Sequence, residues 1–382
     1  MPYMTAVIIK PDTEEKLRIL SHDAQYDLAC ACGPRTPDQR RRRSADGRWI
    51  YPVTLPGGGT SVLFKTLISN VCSNDCKYCP LRDNQDLRRC TLSTEETCRA
   101  FLDYLNQKKV FGLFLSSGVI GAPDRTMDRL NSIAETLRRK HQFRGYIHLK
   151  IIPGASPAAI EKALSLASAV SLNIETPGAE YLSQLSNQKN FLRDIVEPIK
   201  LISRLTAEGS RYAAVRQTTQ FIVGAADESD QKIVRYMQGL YKRLHLQRIY
   251  FSAYQHGLGE IDLPAEQKRA NPADALTREH RLYQVDYLMR KYDFEDTDIE
   301  FGPDGRLSLE CDPKQRWADK HPDFFPVNIN RASRWELLRV PGFGPITVKR
   351  ILNSRTKSRI HRIQDIGKSD KLLRKAARYI CF

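Results

Sequence analysis

From Ser61 onward, short apolar runs alternate with longer amphipathic stretches. The runs Val62–Leu67, Leu113–Ser117, Tyr146–Ile151, Val170–Ile174, Thr218–Val223 and Ile249–Ala253 have the length and makeup of strands. Between them, Ser93–Gln107, Arg125–Lys140, Pro157–Ala167, Phe191–Glu208 and Ser229–Leu244 show helical spacing of apolar positions, and Thr277–Lys291 follows the sixth run. Ser93 and Glu96 stand where a capping box would open the first of these helices. Strand and helix in strict alternation predict an α/β fold of six parallel β/α units. Upstream, residues 1–60 read as an extension. Its one patterned piece is Pro11–Tyr26, a helix with Leu17, Ile19, Leu20 and Ala24 facing inward. The remainder, rich in Arg, Gly and Pro, reads as loop.

Composition adds size, compartment and partner. At 382 residues the chain has room for more than one domain, here read as 1–60, 61–291, a connector at 292–324, and 325–382. No apolar run is long enough to span a membrane, and the N-terminus lacks the layout of a signal peptide. Nine cysteines without a disulfide pattern fit a reducing compartment, so a cytoplasmic location is expected. The net charge is +16 and it is unevenly spread. Residues 325–382 carry fourteen Lys and Arg against Glu336, Asp365 and Asp370, and Arg35–Arg48 holds six arginines against two aspartates. Basic charge concentrated in this way is the footprint of a nucleic-acid binder. For the arginine run alone, a solvated face is an equal reading.

The chemistry centres on Cys72-Ser-Asn-Asp-Cys76-Lys-Tyr-Cys79, directly after the first strand of the alternating series. Three neighbouring thiolates suit three irons of a 4Fe–4S cluster and leave the fourth iron open. A zinc knuckle would normally close its set with a fourth ligand. Cys30 and Cys32 form a C-x-C pair that could serve a second cluster, while Cys90 and Cys98 do not read as ligands, and Cys98, in the first turns of a helix, reads as a small buried hydrophobe. The C-x3-C-x-aromatic-C pattern resembles the signature of the radical S-adenosylmethionine (SAM) enzymes. The resemblance implies a partial (β/α)6 barrel with the site at the C-terminal strand ends. It also implies SAM on the open iron and its cleavage to a 5′-deoxyadenosyl radical. It places Ser116, Ser117 and Gly118 where relatives bind the SAM amino group, although the acidic residue of that motif is absent here. Asn173, Glu175 and Thr176 resemble the stretch that meets ribose and substrate. Gln220 through Gly224 to Asp227 resembles the run behind the adenine, and Tyr78 would pack on the adenine face. Tyr254, Gln255 and His256 follow the sixth strand. Tyr254 is a candidate hydrogen donor, as are the thiols Cys311 and Cys381.

Val327–Leu352 closely resembles a helix-hairpin-helix. Ser333 and Glu336 make a capping box, Pro341-Gly342-Phe343-Gly344-Pro345 is the hairpin, and a second helix follows. Its free amides would face a phosphate, with Gly342, Gly344, Thr347, Lys349 and Arg350 as the contact set. Ile363–Gly367 followed by Leu372–Ile380 looks like a degenerate second copy. In the connector, Trp317 either stacks a base or packs a core, the second being commoner. Together these features resemble a family of radical SAM proteins named for DNA modification or repair. The resemblance implies DNA as partner, an electron donor such as flavodoxin or ferredoxin, and a link to a uracil-DNA-glycosylase-like protein. An RNA-modifying enzyme acting on tRNA, and a non-catalytic iron–sulfur redox sensor on nucleic acid, remain as alternatives.

Overall fold

The computed structural model describes residues 11–24, 50–54, 60–268, 271–367 and 371–382. Cys30, Cys32, the arginine run and residues 368–370 fall outside them. A seven-stranded sheet runs in sequence order through β1 (Ile50–Thr54), β2 (Thr60–Leu67), β3 (Gly112–Ser116), β4 (Tyr146–Lys150), β5 (Ala169–Ser171), β6 (Arg216–Val223) and β7 (Arg248–Ala253). Strands β2 to β7 are parallel, as the alternation predicts, and curl into a half-barrel, as the resemblance implies. The helices α1 (Thr13–Asp23), α2 (Thr94–Asn106), α3 (Pro123–Glu135), α4 (Pro157–Leu166), α5 (Ala179–Leu185), α6 (Glu197–Leu205), α7 (Asp230–Lys242), α8 (Pro264–Gln267) and α9 (Pro272–Lys291) lie between or beside them in the chain. The Ser93–Glu96 capping box forms in both directions, at 2.7 and 3.1 Å.

Several expectations need correcting. The extension is not all loop, because β1 pairs antiparallel on β2, from Ile50 against Phe64 to Thr54 against Thr60. The fourth barrel strand stops at Ser171 instead of Ile174. The chain leaves the ladder there because the Ile174 amide turns to the Thr219 hydroxyl at 2.9 Å. Residues 136–140 and 191–196 are single π turns joined to α3 and α6, so neither helix is regular throughout. Helix α5 went unread because its seven residues are too few for a periodic signal. Ile19 is half-buried, while Leu17, Leu20 and Ala24 are core.

The chain divides into two compact units. The first holds everything up to Asp227 with Leu244–Pro272, the second Glu228–Arg243 with Ala273–Phe382. The second unit therefore takes in α7 and α9, which the sequence assigns to the barrel segment 61–291. A buried ion triad explains the grouping. Arg278 on α9 donates to Asp230 at 2.6 Å and to Glu228 at 3.1 Å, and the other Asp230 oxygen accepts from Leu307 N at 2.8 Å.

The rest of the second unit comprises α10 (Pro313–Lys320), β8 (Val327–Asn328), α11 (Arg334–Arg339), α12 (Pro345–Arg355), α13 (Lys371–Ala376) and β9 (Ile380–Cys381). Its core gathers Leu337, Leu338, Phe343, Val348, Ile351 and Ile380. After α13 a 3-10 turn runs over Ala377–Tyr379, and Ile380 and Cys381 then pair with Val327 and Asn328. Trp317 is buried against Phe294 and Phe324, so it packs the core and offers no face to a base.

Candidate active site

The three cysteines stand in the loop leaving β2, and that loop is held from several sides. Arg89 donates to the carbonyls of Leu81 and Arg82 at 2.9 and 2.8 Å and also to that of Asn70. Arg82 donates to Cys79 O and Leu258 O, each at 3.0 Å. Asn70, fully buried, donates to Asp23 at 2.7 Å and accepts from Cys90 N at 2.7 Å. Ser73 N reaches Val119 O at 2.9 Å, tying the loop to the segment after β3. Gly118 sits so close to this loop that a Cβ there would lie 2.4 Å from the Val71 carbonyl oxygen and 3.2 Å from Cys72 Cβ. Only glycine lets the two segments approach.

Cys72, Cys76 and Cys79 line one cavity of about 190 Å³ at the C-terminal strand ends. Each sulfur has its own donor. Val119 N points at Cys72 Sγ from 3.5 Å, and Leu81 N at Cys79 Sγ from 3.4 Å. Lys189 hydrogen-bonds Cys76. Donors placed on sulfur favour the thiolate, the form that binds iron. As free thiols in this enclosure, burial raises Cys76 and pushes Cys79 up to about 12. No three His, Cys, Asp or Glu side chains among the described residues converge on a single ion. Three thiols lining one cavity, each with a donor on its sulfur, would suit three irons of a 4Fe–4S cluster.

Six of the seven proposed cofactor residues line the same cavity: Ser116, Ser117, Gly118 and Asn173, with Tyr78 and Glu175. Glu175 takes an unusual conformation. Its φ is +64°, a left-handed geometry that costs a non-glycine residue about 1 kcal/mol or more. It is held there by two backbone bonds to β6, Glu175 N to Gln220 O at 3.0 Å and Ile222 N to Glu175 O at 2.8 Å. Strain that its surroundings enforce is a mark of functional positions. The Tyr78 hydroxyl hydrogen-bonds the Glu175 carboxylate, and burial together with that charge raises the phenol well above its usual range. The Tyr78 ring packs on the small cluster of Leu185, Ala225, Ala226 and Leu263, beside the Gly224 turn. Gly224 itself takes φ +85° and does not line the cavity.

The proposed catalytic residues fare differently. Tyr254 lines the cavity, but its hydroxyl donates to Glu266, which also accepts from Gly257 N at 2.7 Å and Gly259 N at 3.2 Å and meets His256 at 3.2 Å. Burial and the Glu266 carboxylate hold the phenol proton firmly. Cys311 is not brought to this cavity. It belongs to the second unit, where its sulfur faces Asp312 O at 3.6 Å and Asp319 Oδ2 at 3.9 Å. Cys381 lies in β9 and is likewise absent from the lining. Cys98 is buried, as its place in a helix predicts, and Cys90 is buried as well.

Sequence reading missed Lys189, Lys150, Arg89 and Glu266. Lys189 is the most consequential, with its ammonium 5.9 Å from the Tyr78 ring centre and close to both Cys76 and Glu175. Burial pulls this lysine down, yet the acidic neighbours Cys76 and Glu175 raise it on balance. No local pattern marks it, because its partners lie far back in the chain.

In the second unit, α11 and α12 are joined by the turn Pro341–Gly344, with the Ser333–Glu336 capping box formed. Gly342 has φ +94°, and a Cβ there would lie 2.3 Å from Leu372 O, so its glycine is dictated by packing. Gly344 caps α12 in extended conformation with only Tyr292 Oη near its missing Cβ, at 3.3 Å. Lys349 and Arg350 are exposed and Thr347 half-buried. Arg350 also donates to Ile366 O at 3.2 Å. Beneath the turn, Lys314 donates to Phe343 O at 2.6 Å, and burial lowers its ammonium to about 7.

A radical SAM superfamily profile matches residues 66–239. Among solved structures, the FeFe-hydrogenase maturase HydG from Carboxydothermus hydrogenoformans is similar at 17% identity and TM-score 0.45, over 59% of this chain and 51% of that one. Methylornithine synthase PylB follows at 14% and 0.44, over 58% and 63%. The radical SAM methyltransferase TsrM from Kitasatospora setae, with cobalamin and a 4Fe–4S cluster bound, is similar at 15% and 0.39, over 50% and 37%. The chain thus spans about half the length of HydG. No curated protein matches it in sequence. No helix among the described residues is long and apolar enough to cross a membrane. The profile, the half-barrel and the three donor-supported thiols agree: residues 66–239 of this chain carry a radical SAM superfamily domain, whose cofactors are a 4Fe–4S cluster and SAM.

Proposed function

We propose that this chain is a radical SAM enzyme that modifies or repairs a base or sugar in DNA. Cys72, Cys76 and Cys79 would hold the cluster. Ser116 to Gly118, Asn173 and Glu175 would hold SAM, with Tyr78 and the Gly224 turn on the adenine side. When bound, the cluster and SAM supply radical chemistry, while the chain's residues bind, orient and exclude water. Glu175, fixed by backbone bonds to β6, can accept from two ribose hydroxyls. Lys189 offsets negative charge beside Cys76. The observation that carries the enzymatic reading is the single cavity shared by all three thiols and Glu175. A redox sensor has no use for that carboxylate.

The nucleic-acid half of the proposal rests on the second unit. The fourteen basic residues of the last 58 positions are not all available. Arg339 is buried against Phe294 at 3.7 Å, and Arg355 donates to Ile329 O at 3.3 Å. Lys349 remains exposed on the first turns of α12, behind the Gly344 cap, where a phosphate would meet free amides. Such contacts grip the backbone without reading sequence, and a base within a duplex would have to be flipped or single-stranded to reach a barrel.

The test is 5′-deoxyadenosine formation by anaerobically reconstituted protein with reductant, with and without single-stranded DNA, duplex DNA or tRNA. Stimulation by DNA is the expected result. Stimulation by tRNA alone would move the substrate to RNA. Absence of 5′-deoxyadenosine from fully loaded protein would leave a non-catalytic iron–sulfur protein.

A further inference from the structure

The cations of the cysteine loop itself are spent elsewhere than on its thiols. Lys77 faces Asp262, and Arg82 faces Glu260 at 3.2 Å. Arg89 donates to the carbonyls of Asn70, Leu81 and Arg82. The cation that does reach a ligand sulfur, Lys189, comes from a distant part of the chain.

Its placement is built from both sides. Asp75, one residue before Cys76, accepts from Ser186 Oγ and from Asn187 N, the latter at 2.8 Å. One residue after Cys76, Lys77 N donates to Leu185 O at 2.8 Å. Ser186 Oγ in turn accepts from Lys189 N at 3.2 Å. On the far side, the Asn190 carboxamide oxygen accepts from Arg193 N at 2.8 Å, and Asn190 N donates to Asp194 at 2.8 Å. Residues 185–187 are thus stitched to the stretch around Cys76, and Lys189 is fixed between that stitch and a capped turn. Its side chain lines the cavity, hydrogen-bonds Cys76 and holds its ammonium 5.9 Å from the Tyr78 ring centre. Glu175 is its carboxylate neighbour.

What such a cation does follows from the charge of the site. Three thiolates leave a 4Fe–4S cluster net negative, and one electron from a low-potential carrier adds a further unit of charge. Cluster potentials respond to net charge and to hydrogen bonds on the sulfurs. An ammonium fixed on one ligand sulfur favours the more negative, reduced state, and the Glu175 carboxylate opposes it.

We propose that Lys189 acts through Cys76 as a positioning charge that raises the reduction potential of the cluster and brings it within reach of a low-potential one-electron carrier. This rests on the assignment of Cys72, Cys76 and Cys79 to the cluster, and DNA binding has no part in it.

The test is a redox titration of the anaerobically reconstituted full chain without SAM, poised with dyes of graded potential and read by EPR of the reduced cluster. Lys189→Met should lower the ratio of reduced to oxidised cluster roughly tenfold at a set potential, a shift of about 59 mV for a one-electron couple. Lys189→Arg should stay close to the parent. Glu175→Gln, which removes the opposing charge, should raise the ratio. Iron content identifies the variants that are folded and loaded. If Lys189→Met takes up no iron, Lys189→Gln carries the comparison, since its carboxamide keeps a donor for the sulfur without the charge. A ratio unmoved in a fully loaded neutral variant overturns the proposal, and weaker SAM binding in that variant would make Lys189 a SAM contact instead. Shifts of one sign for Lys189→Met and Glu175→Gln overturn it too, because disturbed packing does not follow the sign of the charge removed. A parent chain that binds no iron removes the cluster assignment, and this proposal with it.

Discussion

At the scale of single residues, the thiols and Glu175 make separable predictions. Cys72→Ala, Cys76→Ala and Cys79→Ala should each abolish SAM cleavage and lower bound iron after reconstitution. A variant of unchanged iron content and cleavage would refute the ligand set. Glu175 combines a carboxylate with a backbone conformation that glycine adopts freely and alanine does not. Glu175→Gly and Glu175→Ala should therefore lose SAM affinity alike, while the glycine variant is about 1 kcal/mol the more stable. Equal stabilities by urea titration would mean that the strain is relaxed in solution. That the three thiols share one cavity was legible in the sequence because their spacing is local. Lys189, Arg89 and Glu266 were not, since each gains its meaning from partners that only folding delivers. Tyr254 shows the converse limit. Its place at a strand end was legible, but not the carboxylate that occupies its hydroxyl.

Among elements, the six parallel strands could be read from apolar runs, because their outer faces are buried and their ends bounded by polar turns. Strand β1 could not, since it sits in an Arg- and Gly-rich stretch and gains its bonds from β2. The same holds for β9, whose two residues are too few for a pattern and gain their bonds from β8. Lys314 gives the turn between α11 and α12 a measurable signature. Burial lowers its ammonium to about 7, below the ordinary lysine value near 10.4. Below about 7 both folded and unfolded chains carry the proton. Between the two values only the unfolded chain does, so stability rises with pH across that window. Urea midpoints at pH 7 and 9.5 should differ in that sense, and Lys314→Met should flatten the difference. A rise of the same size in the variant would place its origin elsewhere.

For the molecule as a whole, the charge excess of the last 58 residues predicts affinity for DNA that falls steeply with salt, as counterion release requires. Lys349→Gln should lower the slope of log K against log salt by about 0.9, the share of one phosphate contact. Gly344→Ala should weaken DNA binding while bound iron stays at the parent level. Gly342→Ala is the poorer probe, because its Cβ would collide with Leu372 O and disturb the fold itself.

The grouping of α7 with the C-terminal part has a practical corollary for anyone dividing the protein. The second unit is not a contiguous tail, for the chain visits it once between β6 and β7 and again from Ala273 onward. A deletion mutant ended before Thr277 would discard Arg278 and strand two buried carboxylates, Glu228 and Asp230, in the piece that remains. The truncated piece would keep α7 without the rest of the unit it belongs to, so the protein is best dissected by point substitution rather than by scissors.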